Sequence, residues 1–336
     1  MQTIRWGIIG CGNVTEVKSG PGLQRAEHSQ LVAVMRRDGQ KARDYAERHG
    51  VPRWYDDASR LIHDPEVDAV YVATPPSTHA KYAIQAARAG KPVYVEKPMA
   101  RTADECRQMI AACRDAGMPL FVAYYRRALP RFLKIKELLQ QEAIGQVRFV
   151  TVTLRSAPGA HDPNHLPWRV LPDIAGAGLF LDLASHTLDV LDFLLGPVVE
   201  AKGMAVNQAD LYPAEDCVCA SLNFPGAVLG TGIWCFTAYD GHSADMNEIV
   251  GSRGKLRFST FGAEPIELHV GDTVTLHQAD TPAHIQQPLI QTVVNALNGV
   301  APCPSTGETA LRTTEVMDAI LHDWRARKGA IGIALH

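Results

Sequence analysis

Apolar positions fall into two regimes along the chain. Up to about residue 123, short and nearly continuous apolar runs alternate with helical stretches. Residues 4–9 form such a run, ending at Gly10-Cys11-Gly12. A second run, 31–35, is followed by a helical pattern over 40–49 that Gly50 stops. Residues 69–73 read as strand, 79–89 as a helix closed by Gly90, and 93–95 as strand. Thr102 and Glu105 form a capping box that opens a helix ended by Gly117, and 120–123 is one more strand. Strands without polar alternation are buried on both faces, so this part predicts a parallel sheet with helices on either side.

Beyond residue 124 the period changes. A helix over 130–141 leads to an alternating, β-branched strand at 147–154. Further strands are expected at 217–224, 227–236, 246–250, 255–258, 266–270 and 273–277, with turns at Pro225-Gly226 and Gly271-Asp272. This is a mainly antiparallel sheet, with the apolar helical stretch 179–195 over one face. The other face is left open, which makes sheet-to-sheet pairing of two copies an expectation. Ser305 and Glu308 cap a last helix over about 306–327. The expected organisation is α/β. A doubly wound, dinucleotide-binding domain of the Rossmann type occupies 1–123. An α+β domain for substrate binding and oligomerisation, with a large open-faced sheet, occupies 124–336.

Composition narrows the setting. The 336 residues carry 33 Lys and Arg against 36 Asp and Glu, a net charge of −3, which gives no electrostatic reason to expect nucleic acid or an anionic membrane. Hydrophobic residues make up 46% of the chain and charged residues 21%, enough for full cores. No apolar run approaches the ~18 residues of a bilayer span, and the apolar N-terminal stretch is too short for a signal peptide. Seven cysteines include no C-x-x-C pair, as suits reduced structural thiols and a cytoplasmic setting.

The candidate chemistry starts at the first turn. Gly10-x-Gly12 directly after a strand permits a tight turn and a close approach of the Gly12, Asn13 and Val14 backbone to a pyrophosphate. The third position of the fingerprint is Thr15, where Gly or Ala is usual, and Ser19-Gly20-Pro21-Gly22 interrupts the helix that should follow. At the end of the second strand, where NAD sites place a carboxylate for the ribose, stand Arg36 and Arg37. Guanidinium forks match phosphate oxygens, which favours NADP over NAD. The competing reading has both arginines in solvent and Asp38 on the ribose.

Three later segments narrow the family: Ala73-Thr74-Pro75-Pro76 with His79; Glu96-Lys97-Pro98; and Gly176-Ala177-Gly178 followed by Asp182-x-x-x-His186-x-x-Asp189. In this order, with Glu248-x-x-Gly251-x-x-Gly254 and Gly307-Glu308 further on, the chain resembles the glucose–fructose oxidoreductase / inositol dehydrogenase (Gfo/Idh/MocA) family over nearly its whole length. Its look is nearest the NADP-using sugar or diol members. The resemblance implies oxidation or reduction of a sugar, polyol or related carbonyl compound, assembly into dimers or tetramers, and catalysis by Lys97, Asp182 and His186. Lys97 sits just past the end of a parallel strand, where its ammonium can polarise the reacting oxygen. Asp182 and His186 share a helix face, with the imidazole as acid/base and the carboxylate as its orienter or a substrate ligand. A lysine there can also be a solvated charge, and an Asp/His pair only a helix-face contact.

Thr74, Pro75 and His79 are expected at the cofactor crevice, with Glu96 at the nicotinamide ribose. Tyr125, Trp168 and Arg169 are expected toward the substrate. His161 and His165 have metal-like spacing, but Pro163 and Pro167 oppose a regular helix there, so no metal is expected. The alternative function is a non-catalytic NAD(P)-binding sensor on the same fold. A sensor has no use for a proton relay, so Lys97, Asp182 and His186 count against it.

Overall fold

The computed structural model describes residues 1–159 and 162–333. Six strands, β1 (Ile4–Ile9), β2 (Ser29–Met35), β3 (Arg53–Tyr55), β4 (Ala69–Val72), β5 (Val93–Val95) and β6 (Leu120–Val122), form one parallel sheet in the order β3-β2-β1-β4-β5-β6. Strand β4 is entirely apolar and its four residues are all buried, as a strand covered on both faces requires. The order reverses between β1 and β4, which puts the crevice for a ligand beyond their carboxyl ends.

Eight strands form the second sheet: β7 (Val147–Arg155), β8 (Glu200–Val206), β9 (Cys217–Phe224), β10 (Val228–Cys235), β11 (Ala244–Gly251), β12 (Gly254–Phe258), β13 (Ile266–Val270) and β14 (Thr273–His277). Their order is β14-β13-β12-β11-β7-β10-β9-β8, antiparallel at every neighbour except the parallel pair β7–β10. Val218, Ala220, Leu222 and Phe224 of β9 face the core, whereas Cys219 and Ser221 point the other way. The core face is covered by the helix Ser185–Leu195 and the π-helical turn Phe180–Ala184 before it, whose Phe180 ring meets Trp234 of β10 edge-on at 5.2 Å. The opposite face exposes Phe149, Met204, Val206, Leu229 and Ile233.

Three expectations are corrected. The chain separates into two compact units, residues 1–129 with 282–311, and 130–281 with 312–336, so the second domain is not the contiguous 124–336. Segment 282–311 joins the first unit because Ser305 Oγ donates to the Val122 carbonyl (2.7 Å) and Phe121 bridges Thr306 beside the sheet. The last helix runs Gly307–Ile333, longer than 306–327, and passes through Gly329 without ending there. Finally, the segment Pro172–Leu195, helical apart from a bend at 176–178, is long and apolar enough to cross a bilayer, although no unbroken apolar run marks it. Its apolar window is 72% buried inside the protein, which makes it a core helix.

Candidate active site

In the first unit the site begins at the turn after β1. Gly10 has φ of 94°, and a Cβ there would stand 2.7 Å from Thr74 Cγ2 and 2.9 Å from the Thr74 nitrogen. Only glycine allows this approach of the β1 and β4 turns. The Gly10 and Cys11 N–H groups both donate to the Met35 carbonyl, at 2.8 and 3.1 Å, which ties the turn to the end of β2. A Cβ on Gly12 would meet nothing nearer than 4.0 Å, so that backbone is open for a ligand to approach. Asn13 is exposed and Val14 partly so. Thr15, the departure from the fingerprint, closes the turn locally. Its hydroxyl accepts from the Gly12 N–H (2.9 Å) and donates to the Gly12 carbonyl (2.8 Å). The interrupted helix is a π-helical turn, Thr15–Ser19, running into Gly20–Arg25, with the Tyr45 hydroxyl donating to the Thr15 carbonyl.

At the end of β2, Arg36 and Arg37 are exposed, and Arg36 Nη1 lies 3.5 Å from the Cys11 carbonyl, beside the glycine turn. Asp38 is committed elsewhere. It caps the helix Gly39–His49, accepting the Lys41 N–H at 3.2 Å, and this bond holds its carboxyl below the usual range. The cradle thus fits a dinucleotide: a glycine turn that a Cβ would fill, an open backbone beyond it, and guanidiniums where the adenosine ribose of such a fold is read.

Lys97 follows β5, and the Lys97-Pro98 peptide is cis. The segment is pinned on both sides. Its N–H donates to Glu96 Oε2 (3.1 Å), while the next two carbonyls, of Pro98 and Met99, lie 3.1 and 3.2 Å from His79 Nδ1. His79 Nε2 is 2.6 Å from the Thr74 carbonyl, so one buried imidazole staples the β4 turn to the Lys97 turn. Burial pushes the His79 pKa down. Glu96 is also buried: its Oε1 accepts from the Tyr71 hydroxyl and from Gln286 Nε2 (2.8 Å). Burial, then the Glu96 charge, drives the Tyr71 hydroxyl well above its ordinary pKa. His79 was expected to border the cofactor crevice and Glu96 to contact the nicotinamide ribose; both side chains are buried and hold the turns after β4 and β5. Thr74 and Pro75 remain partly exposed, and the Thr74 hydroxyl accepts from Thr78 Oγ1 at 2.8 Å. Tyr125 lies under the Arg126 guanidinium, 4.9 Å from its ring centroid.

In the second unit Asp182 belongs to the π-helical turn and His186 to the α-helix after it, so the pair straddles a helix irregularity where a regular face was expected. Asp182 Oδ2 accepts from Arg169 Nε (3.1 Å), and the Arg169 guanidinium stacks on Trp168 at 4.5 Å. His186 is buried, with the Phe261 ring edge-on at 5.7 Å. Trp168 and Arg169, singled out in the sequence as substrate-side candidates, thus stand beside Asp182, a contact that the sequence pattern did not predict. The sequence reading missed Tyr71, Gln286 and Phe261, none of which carries a local motif. His161 lies outside the described residues; His165 is exposed and bonded to Asp162 at 3.0 Å. Among the described residues no three His, Cys, Asp or Glu side chains gather as metal ligands.

The sheet order and the glycine-built first turn define an NAD(P)-binding oxidoreductase fold. Family models agree: one described as an oxidoreductase family with an NAD-binding Rossmann fold matches residues 4–124, and a GFO/IDH/MocA C-terminal domain matches 132–257. The chain belongs to the Gfo/Idh/MocA oxidoreductase family. An oxidoreductase of Formosa agariphila is 37% identical over 317 residues, 94% of this chain and 97% of that protein. The trans-1,2-dihydrobenzene-1,2-diol dehydrogenase of Mus musculus is 33% identical over 68% of each chain. Among solved structures, an aldose–aldose oxidoreductase from Caulobacter crescentus complexed with glycerol superposes with a TM-score of 0.86 at 26% identity, covering 98% of both chains.

Proposed function

We propose that this protein transfers a hydride between NADP(H) and a C–OH/C=O centre of a sugar, polyol or related small carbonyl compound. The observation that carries the reading is the fixation of Lys97 at the carboxyl end of β5, between the Glu96 carboxylate and the His79 staple. A lysine at a surface needs no such double anchoring, whereas a group that must meet a reacting oxygen does. The nicotinamide, when bound, donates or accepts the hydride. The Lys97 ammonium hydrogen-bonds the reacting oxygen and stabilises the charge that develops on it. His186 gives or takes the hydroxyl proton, and Asp182, tied to Arg169, holds a neighbouring substrate hydroxyl. Tyr125 and Trp168 complete the substrate side.

Gly10, Gly12, Asn13 and Val14 hold the pyrophosphate, and Thr74 and Pro75 border it. Arg36 and Arg37 take the 2′-phosphate, a reading supported by the commitment of Asp38 to its helix cap. A diol dehydrogenase and a glycerol-bound aldose oxidoreductase among the relatives support a polyhydroxylated substrate. The enzyme is read as a cytoplasmic homodimer or homotetramer joined through the open sheet face. Lys97→Ala tests the core of this reading. Turnover should fall by about 10²- to 10⁴-fold, while NADPH affinity measured by calorimetry stays within a few-fold. Undiminished turnover would remove Lys97 from the chemistry.

A further inference from the structure

The second unit holds a cavity of about 360 Å³ lined by Leu154, Arg155, Leu183, Ser243, Asp245 and Phe261. Two of its walls belong to the neighbourhood of His186. Leu183 stands three residues before His186, in the π-helical turn that leads into its helix, and the Phe261 ring that lines the cavity is the one packed edge-on against the imidazole. Phe261 is held firmly. Asp245 accepts the backbone N–H groups of Thr260 (2.9 Å), Phe261 (2.6 Å) and Gly262 (3.2 Å). Thr260 Oγ1 also bonds Asn247 Nδ2 (2.9 Å) and Thr187 Oγ1 (3.1 Å).

Arg155, the last residue of β7, is the anomaly in this cavity. Among the described residues its Nε is buried with no hydrogen-bond partner, and no carboxylate stands within ion-pair distance of its guanidinium. Asp245 lines the same space, but its oxygens accept three backbone N–H groups and no ion pair joins it to Arg155. A buried guanidinium N–H without an acceptor costs its full desolvation unless a ligand supplies the acceptor. The planar fork matches a carboxylate or a phosphate in particular.

We infer that this cavity is a substrate subsite that reads an anionic oxygen substituent, the carboxylate or phosphate of a sugar derivative, on Arg155, with the sugar ring against Phe261 beside His186. The inference rests on the hydride-transfer reading for its substrate class, and adds that the substrate is an acidic sugar. Calorimetric titration of a sugar carboxylate, a sugar phosphate and the parent neutral sugar into the wild type, Arg155→Met and Arg155→Lys tests it without relying on turnover. One of the anions should bind the wild type at least tenfold more tightly than the neutral sugar. Arg155→Met should abolish that preference and Arg155→Lys retain part of it; whichever anion shows the effect identifies the group. Equal binding of all three, or a preference that survives Arg155→Met, overturns the subsite. Nicotinamide turnover of the same compounds is read separately. An anion that binds through Arg155 but is never oxidised or reduced leaves the subsite standing and sinks the hydride reading.

Discussion

Arg36 and Asp38 are two residues apart and have different uses. The carboxylate that could have read a ribose is bonded to the Lys41 N–H, and the guanidinium stands exposed beside the glycine turn. Arg36→Asp should therefore lower the preference for NADPH over NADH by roughly 10- to 100-fold, the worth of a charge-assisted hydrogen bond or two. Competitive titration reads it, and an unaltered ratio would place the phosphate contact elsewhere. Glu215 allows a test by pH. Burial raises its carboxyl to about 7, against the Gly178 N–H that bonds Oε1 at 2.8 Å. A folded pKa above the unfolded value contributes stability in full below the unfolded pKa, and that stability is lost as pH rises through about 7. Relative to Glu215→Gln, the wild type should lose on the order of 3 kcal/mol of unfolding free energy as pH rises from about 4.5 to about 7, and little more above that. Parallel urea curves for the two proteins would contradict this. At this scale the placement of Gly10, Arg36 and Lys97 just past strand ends was legible from local spacing. Glu96 and His79 were identified but misoriented, since their direction depends on partners such as Gln286, 190 residues away.

Elements were legible where period and punctuation agree. The hairpin at Gly271-Asp272 has Val270 paired with Thr273, the register a two-residue turn imposes. Two strands escaped the pattern, and both lie at sheet edges. β3 has only three residues, and β8, Glu200–Val206, mixes charges and glycine into its alternation. The irregular first helix was foreshadowed by Ser19-Gly20-Pro21-Gly22, but its packing reason was not. A Cβ on Gly22 would stand 2.7 Å from Ile290 Cδ1 and 3.3 Å from the Gln287 nitrogen, at the start of the helix Gln287–Leu297. That close approach also seats the helix whose N-cap, Gln286, reaches Glu96. Gly22→Val should destabilise by about 1–3 kcal/mol through overpacking, seen as a lower urea midpoint with an unchanged slope. An unshifted midpoint would mean the helices have room to separate.

For the whole molecule, the open face of the eight-stranded sheet is the largest consequence of the fold that the sequence pattern foretold. Met204 is 74% exposed and Leu229 61%, both on that face, and apolar surface of this kind marks an interaction site. Light scattering should find the wild type as a dimer or tetramer and the Met204→Lys/Leu229→Lys double variant as a smaller species. A monomeric wild type would contradict the assignment of this face. What the sequence could not convey is that a segment following the second sheet returns to the first unit. Nothing in its composition marks it, because its contacts, such as Ser305 on the Val122 carbonyl, Gln286 on Glu96 and Ile290 against Gly22, come from scattered side chains that form no motif. The function argued here is chemistry at one carbon, and isotope transfer tests it most directly. When NADPH deuterated at C4 is incubated with a panel of sugar-derived carbonyl compounds, mass spectrometry should find one product carrying a single carbon-bound deuterium in wild-type reactions and almost none with Lys97→Ala. NADPH bound but unconsumed, with no deuterated product anywhere in the panel, would contradict the account and leave a dinucleotide sensor in its place.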